Sequence, residues 1–225
     1  MNTLSETRQW LQQHGVSFGA VVLAGGLARR MNGQDKGLVS LSGKPMVLYA
    51  LECVLPLVDK CVINANRNRD TYERFGASAL SMMFTTLLLP PEIDVVPDQM
   101  PGHLGPLAGL SAGIEALDTD YVFMCPCDSP FLQSSLVEAL LKQCVHEDAD
   151  IAVPFDGERL QPVFCVVNRR VKSSLDAFLL SGERKIDSWF ATHDVQRVDA
   201  VEFIDCFANI NTEQERLQAE QALSQ

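Results

Sequence analysis

Continuous apolar runs of four to six residues recur along this chain, separated by stretches in which apolar positions return every three or four residues. The runs read as strands buried on both faces, and the intervening stretches as amphipathic helices. Strands are expected at Phe18 to Leu23, Lys60 to Asn64, Ile93 to Val96 and Tyr121 to Met124. More are expected at Ile151 to Val153, Val163 to Val167 and Val198 to Phe203. Helices are expected at Pro45 to Leu55, Pro106 to Leu117, Leu132 to Cys144, Val171 to Leu180 and Thr212 to Leu223, with a short leading helix from Thr3 to His14. Thr212 followed by Glu213 and Glu215 suits a helix start, where carboxylates meet the positive end of the helix dipole.

Alternating strands and helices predict a mostly parallel sheet with helices on both faces, an α/β three-layer sandwich. One segment, "ASALSMMFTTLLLPPEI" from Ala77 to Ile93, is apolar without a place in this alternation. It reads as an extra helix packed on the core, with a partner or oligomer surface as the alternative.

In such sheets ligands bind beyond the carboxyl ends of the strands, so the residues that follow each strand matter most. After the first strand come Gly25, Gly26 and a basic loop with Arg29, Arg30 and Lys36. After the second come Asn64, Ala65, Asn66 and Arg67. Asp98 and "PGHLGPLAG" follow the third, and Asp128 the fourth. Glycines, amides, cations and carboxylates thus converge on one edge.

Composition sharpens this picture. The 225 residues include 18 basic and 29 acidic side chains, a net charge of -11. A chain this acidic does not read as a nucleic-acid or membrane-surface binder, so any anion must be held locally, which singles out the Arg29–Lys36 loop. Gly25 and Gly26 allow the backbone N–H groups to approach phosphate oxygens, and the cations supply countercharge. The loop lacks both Gly-x-x-x-x-Gly-Lys-Ser/Thr and Gly-x-Gly-x-x-Gly, so it is neither the common phosphate loop nor the dinucleotide fingerprint. A nucleoside triphosphate is the expected ligand. Asp128, in "FMCPCDSP", is the candidate magnesium ligand. Asp98 is a second carboxylate, for metal or for orienting a substrate. Gly105 to Gly109 forms a glycine-rich entry to a helix, suited to a second anion or a base edge. Asn209 and Asn211 precede the last helix, as caps or as ligand contacts. His103 reads as a loop residue, not a general base.

The seven cysteines are irregularly spaced, complete no zinc pattern and sit in apolar runs. They read as reduced, buried residues of a cytoplasmic protein. No signal peptide or membrane-length apolar segment is visible.

"LAGGLARRMNGQDKG" resembles the signature of the small nucleotidyltransferases, and closely that of the molybdenum cofactor guanylyltransferases. "LSGKP", "VINANR", "GPLAG", "CPCDSP", "DGER", Pro162 and "FANINT" follow in that family's order, so the resemblance covers Val21 to Leu217. It implies a Rossmann-like fold of the nucleotide-diphospho-sugar transferase type, occupying residues 18–225 as a single domain, with residues 1–17 an extension and 77–92 an insertion. It also implies transfer of GMP from GTP to molybdopterin cofactor, with Mg2+ and release of pyrophosphate. Leu23, Ala24, Gly25 and Gly26 would then contact the nucleotide. Asn64, Asp98, Gly105 and Gly109 would help to hold it. Arg29, Lys36 and Asp128 would carry the chemistry, with Lys36 on the phosphates and Asp128 on the metal. Asn209 and Asn211 would lie toward the pterin. Cofactor chaperones or molybdoenzyme apoproteins would be partners. The acceptor, a phosphate monoester with a second pKa near ~6, is already largely dianionic and needs no strong general base. Two alternatives stay open: the same fold with a cytidylyl or sugar-phosphate substrate, and a non-catalytic nucleotide carrier.

Overall fold

A computed structural model of the protein describes residues 6–24, 27–28, 34–83, 90–100 and 105–223. Seven strands form the main sheet: β1 (Phe18–Leu23), β2 (Lys60–Asn64), β3 (Glu92–Val96), β4 (Tyr121–Pro126), β5 (Ile151–Phe155), β6 (Cys165–Asn168) and β7 (Val195–Asp199). Their spatial order is β7-β5-β6-β4-β1-β2-β3. β1 pairs in parallel with both β2 and β4, and β3 and β7 pair in parallel with β2 and β5. β6 alone runs antiparallel to its neighbours β4 and β5.

The helices are α1 (Glu6–His14), α2 (Met46–Val54), α3 (Arg69–Met83), α4 (Pro106–Leu117), α5 (Ser134–His146), α6 (Lys172–Leu180), α7 (Ile186–Phe190) and α8 (Glu213–Leu223). The pleat of the sheet sorts side chains between two cores. Phe18, Ala20 and Val22 of β1 join Phe123 and Cys125 of β4 on the face covered by α2, α3 and α5. Val21, Val122 and Met124 face α4, α6 and α7. Both faces are therefore dry, which is why β1 and β4 read as unbroken apolar runs. A smaller cluster of Val39, Leu41, Met46, Ile210 and Ala219 fastens α8 to the stretch after Lys36.

Three elements differ from the expectation. The segment from Ala77 is not a separate helix: residues 77–83 are the second half of α3, and 84–89 lie outside the described residues. The first half of α3, "RDTYERFG", escapes a pattern search because the helix buries only Tyr72, Gly76 and Ala79. The last strand lies earlier than Val198 to Phe203. After Asp199 its own carboxylate accepts the Val201 N–H at 3.2 Å, and the chain turns into 3₁₀ helix over Val201–Phe207. The short helix α7 was not anticipated either, yet it supplies the buried Trp189 and Phe190.

All seven cysteines are free and buried. Burial pushes the thiols of Cys53, Cys61 and Cys144 up to about 12, and those of Cys125 and Cys127 well above their ordinary value. Buried neutral thiols are poor nucleophiles. At mildly alkaline pH a disulfide reagent should therefore titrate no cysteine in the folded protein within minutes, and all seven after denaturation. A fast-reacting thiol in the folded protein would contradict this packing.

Candidate active site

The strands β1, β2, β3 and β4 end flush with one another. Beyond them the ladder continues for one residue: Ala24 N–H donates to Asn64 O (2.8 Å), Ala65 N–H to Val96 O (2.9 Å) and Cys127 N–H to Leu23 O (3.0 Å). These bonds set the heights at which the loops leave the sheet.

On one side of β1, Asn64 and Asp98 meet. The Asn64 amide donates to Asp98 Oδ1 at 3.0 Å and to Val96 O at 3.3 Å. Asn66 donates to the other oxygen, Oδ2, at 2.8 Å, and its own carbonyl accepts the Asp98 N–H at 2.8 Å. Asp98 is thus a clamped carboxylate, oriented by two amides. Gly105 immediately precedes helix α4 as its cap, and its φ of 75° is left-handed and favours glycine. One turn in, Gly109 lies against Asn64 and Leu23. A Cβ there would come within 2.4 Å of Asn64 Oδ1 and 2.5 Å of Leu23 Cδ2. Glycine is required because the helix start approaches the sheet edge this closely.

On the other side, Lys36 Nζ donates to Asp128 Oδ2 at 2.7 Å and to Asn211 Oδ1. Asp128 is 6% exposed, and its backbone carbonyl accepts the Ile210 N–H at 3.0 Å. Ser129 Oγ bonds Asn209 Oδ1 at 2.5 Å. The 209–211 segment is therefore tied to β4's carboxyl end at several points. Glu215 holds it from behind, accepting the Asn211 and Thr212 N–H groups at 2.7 and 2.9 Å, while Thr212 Oγ1 accepts the Glu215 N–H at 3.2 Å. This is a capping box, with Thr212 as the cap. The Asn211 N–H is the main cause that keeps the Glu215 carboxyl below the usual carboxylate range.

The structure thus joins Lys36, Asp128 and Asn211 directly, and Asn209 through Ser129. It joins Leu23, Asn64, Asp98 and Gly109 in a second cluster across β1. Gly25, Gly26, Arg29, Arg30 and His103 lie outside the described residues. The "DGER" turn is built by Asp156, which accepts the Glu158 and Arg159 N–H groups at 2.8 Å each and the Gln161 amide at 2.6 Å. The sequence pattern singles out none of Asn68, Asp35 and Tyr72. The spacing Asn64-x-Asn66-x-Asn68 was the available signal.

Among the described residues no group of three or more His, Cys, Asp or Glu side chains is placed to hold a metal. That excludes a protein cage from these residues but suits magnesium, which takes one or two carboxylates and completes its shell with phosphate oxygens and water. Asp128, a buried hard oxygen donor at an open strand end, fits that demand.

A mostly parallel sheet with a cation, a carboxylate and an amide-clamped aspartate at its carboxyl edge is an arrangement that suits a nucleotidyltransferase. Residues 20–198 match the MobA-like NTP transferase domain. The molybdenum cofactor guanylyltransferase of Shewanella piezotolerans is 39% identical over 93% of this chain and 95% of its own length. That of Shewanella halifaxensis is 40% identical over 91% and 94%. The crystal structure of molybdopterin-guanine dinucleotide biosynthesis protein A from Archaeoglobus fulgidus superposes with a TM-score of 0.70 at 25% identity, covering 92% of this chain and 98% of that one. The 4-diphosphocytidyl-2C-methyl-D-erythritol synthase of Anaerococcus prevotii shares the fold, with a TM-score of 0.67 at 12% identity over 94% of this chain and 100% of that one. The chain belongs to the MobA-like NTP transferase domain family.

Gly109→Ala should displace Asn64, weakening nucleotide binding at least about tenfold and lowering stability by ~1–3 kcal/mol, the usual cost of overpacking. Calorimetric titration with GTP and thermal unfolding check both. Unchanged binding would show that Asn64 does not orient the nucleotide.

Proposed function

We propose that the protein transfers GMP from GTP to the terminal phosphate of molybdopterin cofactor, forming molybdopterin guanine dinucleotide and releasing pyrophosphate. The observation that carries this reading is the meeting of Lys36, Asp128 and Asn211 at the sheet's carboxyl edge, in a chain whose curated relatives are guanylyltransferases.

In this reaction an acceptor phosphate oxygen bonds to the α-phosphorus of GTP as the bond from that phosphorus to the β-phosphate bridge breaks. The acceptor is already anionic, so the work is to bring two anions together and to neutralise the leaving pyrophosphate. Asn64 and the clamped Asp98 orient the nucleoside on one side of β1, Leu23, Ala24, Gly25 and Gly26 contact the nucleotide, and Gly105 and Gly109 stand at the helix entry. Lys36 supplies mobile positive charge to the phosphate oxygens, aided by Arg29. Asn209 and Asn211 face the acceptor and hold it in line. Magnesium, when bound at Asp128, supplies Lewis-acid charge to the phosphates. The proposed organisation is one domain over residues 18–225, with 1–17 an extension and 77–92 an insertion; the 20–198 match lies within that domain. The reaction is proposed for the cytoplasm, with cofactor chaperones or molybdoenzyme apoproteins receiving the product. Among the described residues no helix is long and apolar enough to cross a membrane.

Product formation from GTP and molybdopterin cofactor with Mg2+ tests the reading. Asp128→Asn, which keeps shape and a bond to Lys36, should lower kcat at least about 100-fold, or ~3 kcal/mol. Its melting temperature should stay within a few degrees of wild type. Lys36→Ala should lower kcat/KM for GTP about 10–100-fold. Normal turnover in a folded Asp128→Asn variant would remove Asp128 from the metal site, and unchanged kinetics in Lys36→Ala would refute its phosphate role.

A further inference from the structure

Lys36 sits between two residues that are both seated on one buried tyrosine. Asp35 is 6% exposed, and its Oδ1 accepts the Tyr72 hydroxyl at 2.5 Å. Its Oδ2 accepts the Asn68 amide at 2.9 Å. Gly37, on the other flank, is pressed against the same hydroxyl: a Cβ there would stand 2.5 Å from the Tyr72 oxygen. Tyr72 itself is fully buried in α3. Lys36 points the other way, to Asp128 and Asn211.

A buried carboxylate is an expensive way to fill space, and an apolar residue of similar size would pack there at lower cost. What a carboxylate with two donors adds is a fixed position for its backbone. We infer that Asp35, held by Tyr72 and Asn68, is a positioning residue that sets where Lys36 delivers its charge to the triphosphate. This rests on the reading of Lys36 as the phosphate cation. The anchor also spans the site. Asn66 clamps Asp98 and Asn68 clamps Asp35. One five-residue stretch, Asn64 to Asn68, therefore fixes the spacing between the nucleoside side and the phosphate side.

Tyr72→Phe tests the inference because it removes the hydroxyl and keeps the buried ring; Asp35→Asn, which keeps an acceptor for that hydroxyl, is the second variant. Affinities for GTP and for guanosine are measured by calorimetry with Mg2+, in wild type and in the Lys36→Ala background. Tyr72→Phe should weaken GTP binding about tenfold, as loss of a charge-assisted hydrogen bond does, with guanosine affinity within about twofold. Asp35→Asn should weaken GTP binding less. In the Lys36→Ala background the Tyr72→Phe loss should shrink to about twofold or less. Equal losses for GTP and guanosine, or a tenfold loss that persists without Lys36, would mean that the anchor only supports the fold and would overturn the inference. So would GTP binding unchanged in both variants. Wild-type protein that binds GTP no better than guanosine would overturn the phosphate-side reading beneath it, a result separable from the others because it needs no variant.

Discussion

A half-buried lysine pressed against a buried aspartate is the constraint on which the rest of this molecule turns. Lys36 and Asp128 are 92 positions apart in the chain, and the third partner, Asn211, lies 175 positions from Lys36. No local preference brings these groups together. The sheet does, by setting β1 beside β4, and the capping box at α8 does, by holding Asn211 in place. A charge removed from water needs a partner, so each of these segments is committed to its position by the others. The same pair presents a cation and a carboxylate side by side, which is what a triphosphate with its magnesium requires.

The second cluster, across β1, obeys a steric constraint and not a charge one. Gly109 lets α4 come down onto Leu23 and Asn64, and Gly113, one turn further along, has Val21 where a Cβ would stand. The helix start is thereby brought against Asn64, whose reach to Asp98 is set by the pairing of β2 with β3. Between the two clusters runs the backbone ladder from Asn64 O through Ala24 and from Leu23 O to Cys127. The two clusters, the proposed nucleoside side and the proposed phosphate side, thus flank one strand end.

Much of this was legible in the residues. β1 and β4 are buried on both faces, so their unbroken apolar runs identified them, and the residues that follow each strand include most of the side chains that the structure brings together at that edge. What was hidden has physical reasons. α3 buries one narrow stripe under a polar exterior, so its first half carries no strong period. The apolar Val201, Phe203 and Ile204 imitate a strand, but Asp199 turns the chain before they can pair. Asp35 was invisible because a charged residue beside Lys36 reads as solvated, and only the fold reveals Tyr72 beneath it. Asn209 and Asn211 were open as caps or ligand contacts; the cap is Thr212, where the sequence placed the helix start, and the two asparagines bond Ser129 and Lys36.

In the proposed reaction this strand edge takes a guanine nucleotide and passes on its GMP. The most direct measurement is product formation with magnesium and molybdopterin cofactor, supplying GTP, CTP, ATP or UTP in parallel and resolving the products by mass. GTP should give a guanine dinucleotide and pyrophosphate, and the other three nucleotides at most traces. A dinucleotide formed from CTP in preference to GTP would contradict the base assignment. Bound GTP with no product would contradict the transfer itself.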